Sequence, residues 1–523
     1  MTRRPPAALW VLGVLVVAAV SLPLVYLVVR VAGAGDPLAV LGRPRTLELV
    51  LRTLGLTAAV TAAAVAIGVP AAWLVTRSDL PGRRAWTVLL ALPLVMPSYV
   101  LALALLAAFG RGGFLQELAG VGGSVSIGGF AGALVALTLA TYPYVFLLCA
   151  AALRRSDRSL DEAARSLGQS RWQVFLRVTL PSLRPSIAAS ALLVALYTIS
   201  DFGVVSLMRF DALTRAIYSG YRSAFDRTPA AVLGLVLVAL TAAILMAEAK
   251  AAGRSRAMAS PGEARAPARV ALAGLKAPAV AACTTLAGVA LALPVAVLVW
   301  WTARPADRRG GALGEVVGPG LNTLGVAGAA AVAATLAALP VAVLAVRHAR
   351  PATRLLDRCA YAANALPGVV VALSLVFFAA RYLPALYGTV AVLVGAYVVR
   401  FLPQALSGAR TALQRVDPAF EEASRGLGRG PLRTLGTVTG PLVAPGLLAG
   451  ATLVFVSTMK ELPATLLLRP IGFETLPTEV WTATGVSAYS EAAPAALALI
   501  VLAAPVVWLG VVRGGGGLSE LQR

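Results

Sequence analysis

Runs of about 20 apolar residues, separated by short stretches rich in Arg, Gly and Pro, recur along the whole of this chain. Each run is long enough to cross about 30 Å of hydrocarbon as a helix, and a backbone immersed in lipid must satisfy its own hydrogen bonds, which leaves helices as the economical spanning structure. The first run, Ala7 to Val29, follows Thr2-Arg3-Arg4. It exceeds the ~7–15 apolar residues of a signal-peptide core and is expected to be retained. Further runs are centred near residues 63, 98, 142, 197 and 240, then near 286, 333, 369, 397, 453 and 502. The expectation is an all-α, polytopic membrane protein with about 12 transmembrane helices, six in each half. With 59% hydrophobic and 13% charged residues, the composition lies far from that of a soluble domain.

The halves repeat each other. DEAARSLGQSRWQVFLRVTLPSLRP, from Asp161 to Pro185, returns as EEASRGLGRGPLRTLGTVTGPLVAP, from Glu421 to Pro445. Glu162, Gly168, Val178, Pro181 and Pro185 recur at a constant offset of 260 as Glu422, Gly428, Val438, Pro441 and Pro445. Pro143 and Pro403, Leu153 and Leu413, and Asp157 and Asp417 keep the same offset. Upstream the offset is 270: Thr53-Leu54-Gly55 matches Thr323-Leu324-Gly325, Pro70 matches Pro340, Arg77 matches Arg347, Pro81 matches Pro351, and Pro97 matches Pro367. The change of ten places an excess in the Gly-rich loop Arg111 to Gly129 of the first half. The expected layout is a first repeat over residues 1–249, a linker over 250–269 and a second repeat over 270–523. The linker, KAAGRSRAMASPGEARAPAR, is too polar and too rich in small residues to build a core, and reads as a tether.

Orientation follows from the loops. With the N-terminus in the cytoplasm, the larger share of Lys and Arg falls on cytoplasmic segments. Six spans return the chain to its starting side, so the halves are expected to be parallel repeats about an axis along the membrane normal, with both termini, the linker and both repeated loops inside.

Within the loops (157–185 and 417–445), Asp157 and Asp417 stand as helix N-caps, the second followed by Pro418 at the favoured first position, and Ser159 with Glu162 offers an alternative capping box. Leu160, Ala163, Ala164 and Leu167 fall at helical spacing, and the small alanines would let a partner backbone approach. Gly168 permits a turn. Beyond it Trp172, Phe175 and Leu176 offer an apolar face suited to packing on the protein's own helix ends.

The spacing Glu-Ala-Ala, three residues, Gly, nine residues, an aliphatic, one residue, Leu-Pro resembles the cytoplasmic signature loop of importer-type ABC permeases. The first copy matches throughout; in the second, Ser424 replaces the second Ala and Gly440 the Leu before the Pro. The resemblance implies that Glu162, Ala163, Ala164, Gly168 and Pro181, with Glu422, Ala423, Gly428 and Pro441, form two loops that dock ATP-hydrolysing partners. DFGVVSLMRFDALTRAIYSGYRSAFD and ELPATLLLRPIGFETLPTEVW are similar to the corresponding stretches of fused two-domain permeases for ferric iron. That likeness covers essentially the whole chain, although thiamine and aminoethylphosphonate permeases share the layout. It implies two ABC ATPase subunits on the cytoplasmic face, a solute-binding protein outside, ATP used by the partner subunits with no cofactor bound by this chain, and a multi-pass place in a bacterial cytoplasmic membrane.

Two carboxylates, Asp201 in SDFG and Glu461 in KELP, again 260 apart, stand toward the ends of apolar spans. Set against lipid either would cost several kcal/mol, so they are candidate pathway residues, with placement in the external headgroup zone as the plainer alternative. As equivalent residues of parallel repeats they are expected to face each other near the external mouth, offering oxygen ligands to a hard cation. Thr465, Tyr218, Tyr221 and Trp481 read as interfacial anchors or packing, and Arg400 as snorkelling toward the inner interface.

Other functions fit less well. The net charge of +22 is spread over short loops, which argues for membrane topology and against nucleic acid. A secondary transporter of twelve helices has the same layout but no reason to carry the signature loops. For an enzyme the residues are missing: His348 is the sole histidine, Cys149, Cys283 and Cys359 lack metal-type spacing, and there is no phosphate-binding Gly loop, so neither catalytic nor metal residues are assigned.

Overall fold

The computed structural model describes residues 6–33, 36–110, 112–119, 127–155, 164–223, 227–255, 270–304, 311–363 and 366–514. Among these the chain is helical, and ten helices are long and apolar enough to cross a membrane. Two shorter apolar helices, Gly368–Tyr382 and Tyr489–Pro505, occupy the other two positions where the sequence suggests spans. The expected twelve is thus ten full-length candidates and two short ones.

In chain order the main elements are α1 (Ala7–Ala32), α2 (Pro44–Arg77), α3 (Ser98–Phe109), α4 (Gly129–Arg155), α5 (Trp172–Ser200), α6 (Gly203–Leu207), α7 (Thr228–Ser255) and α8 (Ala273–Ala303). The second half continues with α9 (Gly311–Arg347), α10 (Gly368–Tyr382), α11 (Val390–Arg415), α12 (Pro418–Gly426), α13 (Leu435–Met459), α14 (Pro463–Leu468) and α15 (Tyr489–Gly514). Prolines sit inside equivalent spans, Pro70 and Pro340, Pro143 and Pro403, Pro185 and Pro445. Membrane helices tolerate them because neighbouring helices and side chains re-satisfy the freed backbone groups. A π turn opens α5 at Phe175–Thr179, and the same turn opens α13 at Leu435–Thr439.

The helices gather into two compact units. In one, α2, α4 and α5 pack mutually; in the other, α9, α11 and α13 form the same triangle. The central position of α4 shows in its burial: 72% of its apolar window is covered, against 28% for α1, whose remaining surface suits lipid. A second repeated device pins each triangle to the segment beyond it. Thr53 Oγ1 donates to the Leu49 carbonyl and accepts from Leu213 N at 3.0 Å. In the other unit Thr323 Oγ1 donates to Pro319 O and accepts from Leu476 N at 2.9 Å. These hydroxyls satisfy backbone groups at breaks where no helical partner is available.

The units do not follow the sequence halves. Helix α1 packs on α9 and α10, where a side chain at Gly13 would meet Leu344 Cδ1 at 2.8 Å. Helix α8 packs on α3 and α15, with Trp301 Nε1 donating to Ala107 O at 3.1 Å and stacking edge-on with Tyr489. Each half therefore lends its first helix to the other half's core, an exchange that apolar runs alone could not reveal.

The tether is also shorter than the sequence suggests. Helix α7 runs through Ser255, since AEAKAA is a strong helix-forming string, and residues 256–269 lie outside the described residues. Past them the chain is clipped to the loop after α2. Val270 N donates to Arg77 O (2.8 Å), Asp79 N to Val270 O (3.1 Å), and Leu272 N to the Asp79 carboxylate (2.8 Å), which also pairs with Lys276 Nζ at 2.8 Å. The Lys276 hydrogen bond, reinforced by Leu272 N, holds the Asp79 carboxyl below the usual carboxylate range. The carboxylate's part of the clip is therefore present above the usual carboxylate range and is lost as the pH falls through the depressed value, while the two backbone bonds do not titrate.

Candidate coupling site and pathway residues

The second repeated loop is described in full. Asp417 caps α12, its Oδ1 accepting from Ala419 N at 2.9 Å, with Pro418 in the first turn as the sequence suggests. The helix ends in a left-handed turn at Gly428, φ +80°, where Gly428 N donates to Arg425 O and Arg429 N to Ser424 O. The first copy makes the same turn: Gly168 has φ +80°, Gly168 N donates to Arg165 O and Gln169 N to Ala164 O. Asp157, Ser159, Leu160, Glu162 and Ala163 lie outside the described residues.

Helix α12 presents Phe420, Glu422, Ala423 and Leu427 outward; Leu427 is 81% exposed, and so is Leu167 of the first copy. Ala164 and Ser424, by contrast, face inward. The expectation that both alanines of the first copy admit a partner backbone is corrected for Ala164: it is buried beneath its own turn. Ser424 there forms a hydroxyl pair with Thr434, Oγ to Oγ1 3.0 Å, and the residues at these two positions in the first copy are the buried Ala164 and Val174. The departure at 424 is thus one half of a matched exchange, an apolar pair for a hydrogen-bonded one.

The loops are tied back to the helices above them. Arg347, at the end of α9, donates through Nη2 to Val416 O (3.0 Å) and to Glu421 Oε1 (3.0 Å), with both side chains 15% exposed. In the first copy Phe175 packs edge-on against Trp73 of α2 and stacks on Trp172, which stays 66% exposed. Pro181 and Pro441 stand just past the π turns, where a missing N–H costs least.

The two candidate pathway carboxylates occupy equivalent breaks. Asp201 ends α5 and caps α6: Oδ1 accepts from Val204 N at 2.8 Å, Oδ2 accepts from Ser98 Oγ at 2.6 Å, and its carbonyl accepts from Thr214 Oγ1. Glu461 follows α13 and caps α14: Oε1 accepts from Ala464 N at 3.3 Å, and its carbonyl accepts from Thr465 Oγ1, which meets Tyr397 OH at 2.7 Å. Glu461 is 5% exposed and Asp201 half-buried, so both are drawn into their units. Thr465 and Trp481 are packing residues, Trp481 against Phe202.

Arg400 does not snorkel. Its Nε lies 3.1 Å from Glu461 Oε2, and the guanidinium occupies the space beside Gly368, where a Cβ would fall 1.7 Å from Nη1. Sequence reasoning missed this pairing. Its one signal was the change from Ser98 to Gly368 directly after the repeated Pro97 and Pro367.

Residues 64–249 and 317–512 each match the family described as binding-protein-dependent transport system inner membrane component. This chain belongs to that family of transport permeases. Each copy of the family match includes one of the repeated glycine turns and one of the two candidate carboxylates. The permease is similar over its full length to the Fe(3+)-transport system permease protein FbpB 2 of Haemophilus influenzae, 32% identical across 97% of this chain and 99% of that protein. One portion resembles the molybdenum transport system permease protein ModB of Escherichia coli strain K12, 32% identical over 30% of this chain and 69% of ModB. Another likeness is to a probable sulfate transport system permease protein cysT of Chlorokybus atmophyticus, 30% identical over 34% of this chain and 64% of that protein. Membership places the permease in the cell membrane as a multi-pass component of a binding-protein-dependent system.

Proposed function

We propose that this permease is the membrane subunit of an ATP-driven ABC importer for ferric iron. Two ATPase subunits, one at each coupling turn, would supply ATP hydrolysis, and an extracytoplasmic binding protein would deliver the cargo. The observation that carries this reading is the pair of coupling turns with the same glycine conformation and the same backbone bonds. The equivalent exposure of Leu167 and Leu427 beside these turns supports a partner docking at each. The iron assignment draws on the full-length relative; molybdate and sulfate relatives match one portion only. Asp201 and Glu461 are candidate pathway residues, and carboxylate oxygens suit a hard cation.

Proteoliposomes holding the permease, its ATPase and its binding protein are expected to accumulate radioactive ferric iron only with ATP. Asp201→Asn should lower that uptake about tenfold at limiting iron. Accumulation of molybdate or sulfate in place of iron would refute the cargo, and unchanged uptake by the Asn variant would remove Asp201 from the pathway.

In the proposed orientation both termini and the linker are cytoplasmic. A single cysteine in place of Ser260 should resist an impermeant maleimide added to intact cells and react once the membrane is opened. Labelling from outside would overturn the parallel six-plus-six arrangement.

A further inference from the structure

The equivalent carboxylates are held by different chemistry. At Asp201 the partner is a neutral hydroxyl, Ser98 Oγ, from the first turn of α3. At Glu461 the partner is a guanidinium, Arg400 Nε, from the middle of α11. The position equivalent to Ser98 is Gly368 and the one equivalent to Arg400 is Ala140, so each unit has one of two mutually exclusive arrangements. Gly368 is what admits the second. A Cβ there would lie 1.7 Å from Arg400 Nη1 and 2.7 Å from Glu461 Oε1, positions that the charged pair now fills.

We infer that Arg400 and Glu461 are positioning residues that form a buried electrostatic latch, fixing the break between α13 and α14 to α11, with Gly368 as the clearance that permits it. The Glu461 side chain is 6% exposed and that of Arg400 21%, so either charge left alone would stand in a poorly solvated place. Opening the break in this unit requires separating opposite charges. Opening it in the other unit requires breaking a hydroxyl–carboxylate bond, from which Asp201 can turn to any other donor. The two breaks are therefore unequal: the one at Glu461 is the stiff member, and the one at Asp201 yields first. Only the uptake arm of the test below rests on the transport reading.

Amide hydrogen exchange on the full chain in lipid nanodiscs tests the latch without any cargo. Arg400→Gln and Glu461→Gln are each expected to raise exchange at Ala464 and Thr465 about tenfold while leaving residues 203–207 unchanged. The double variant should be about as open as either single, because each single already breaks the pair. Gly368→Ala should behave like Arg400→Gln, because the methyl displaces the guanidinium. Unchanged exchange in the single variants, or a double variant that returns to the parent level or multiplies the two single effects, would overturn the latch. Should the single variants fail to reach the membrane, Gly368→Ser with Arg400→Ala transplants the Ser98 arrangement. It is expected to insert normally with exchange at Ala464 like that at Val204, and failure of that variant to insert also overturns the proposal. In the uptake arm, the single variants should lower the maximal rate without changing the half-saturating binding-protein concentration. Absence of uptake by the parent would refute the proposed function while the exchange result stands.

Discussion

Gly168→Pro is expected to abolish solute-stimulated ATP hydrolysis by the assembled transporter while leaving membrane insertion intact. Gly168 has φ +80°, and its N–H donates to Arg165 O at 2.9 Å. Proline fixes φ near −65° and has no N–H, so the turn cannot form and the short helix before it loses its end. The effect should exceed tenfold if this loop transmits partner closure to the spans, as proposed. Glu162→Arg should act in the same direction by reversing a charge in the loop proposed to dock the ATPase. The same changes at Gly428 and Glu422 are expected to be milder, since the second copy departs from the signature at Ser424 and Gly440. The measurement is ATPase activity with and without loaded binding protein, at matched membrane levels. Equal and negligible effects at both loops would mean that neither docks a partner.

Arg347→Gln is expected to reduce coupled transport about tenfold, with basal ATP hydrolysis retained. Arg347 joins the end of α9 to both Val416 O and Glu421, and among the described residues its loss leaves a carboxylate at 15% exposure with the long 3.5 Å ion pair to Arg425. Charge-assisted bonds of this kind contribute about 1.5–3 kcal/mol, enough to detach α12 from α9 part of the time. Arg425→Gln is the control, since its side chain is 42% exposed and its pairing with Glu421 is worth little. The ratio of solute moved to ATP consumed distinguishes the two. A ratio unchanged by Arg347→Gln would show that α12 transmits nothing through α9.

Much of this architecture was legible in the residues because membrane insertion writes itself into long apolar runs and duplication writes itself into constant offsets. The runs located every long helix, and Gly168 with Gly428 marked both turns, because a left-handed conformation all but demands glycine there. The capping pattern at Asp417-Pro418 was equally plain. What escaped was everything set by partners distant in sequence. Arg400 and Glu461 lie on separate helices, and the residue that unites them, Gly368, contributes only the absence of a side chain. Ala164 looked partner-facing because helical spacing gives a face without saying which side is inward; its equivalent, Ser424, turns in toward Thr434 beyond the turn. The exchange of α1 and α8 escaped for a related reason: an apolar run specifies that a helix enters the membrane but not which helices it will touch.

That exchange has a consequence for synthesis. Helix α1 enters the membrane first, yet the surfaces it covers, on α9 and α10, belong to the second half of the chain. Until the ribosome has passed the linker, α1 can meet the first half through Leu27 against Gly234 of α7, but its face for α9 and α10 stays open to lipid, which its mean hydropathy of 2.7 allows. The first half likewise waits with the face of α3 open, because α8 has not yet been made. Neither core can close in the order in which it is translated. A nascent first half is thus an unfinished object, with adhesive flanks on α1 and α3 that only later helices cover.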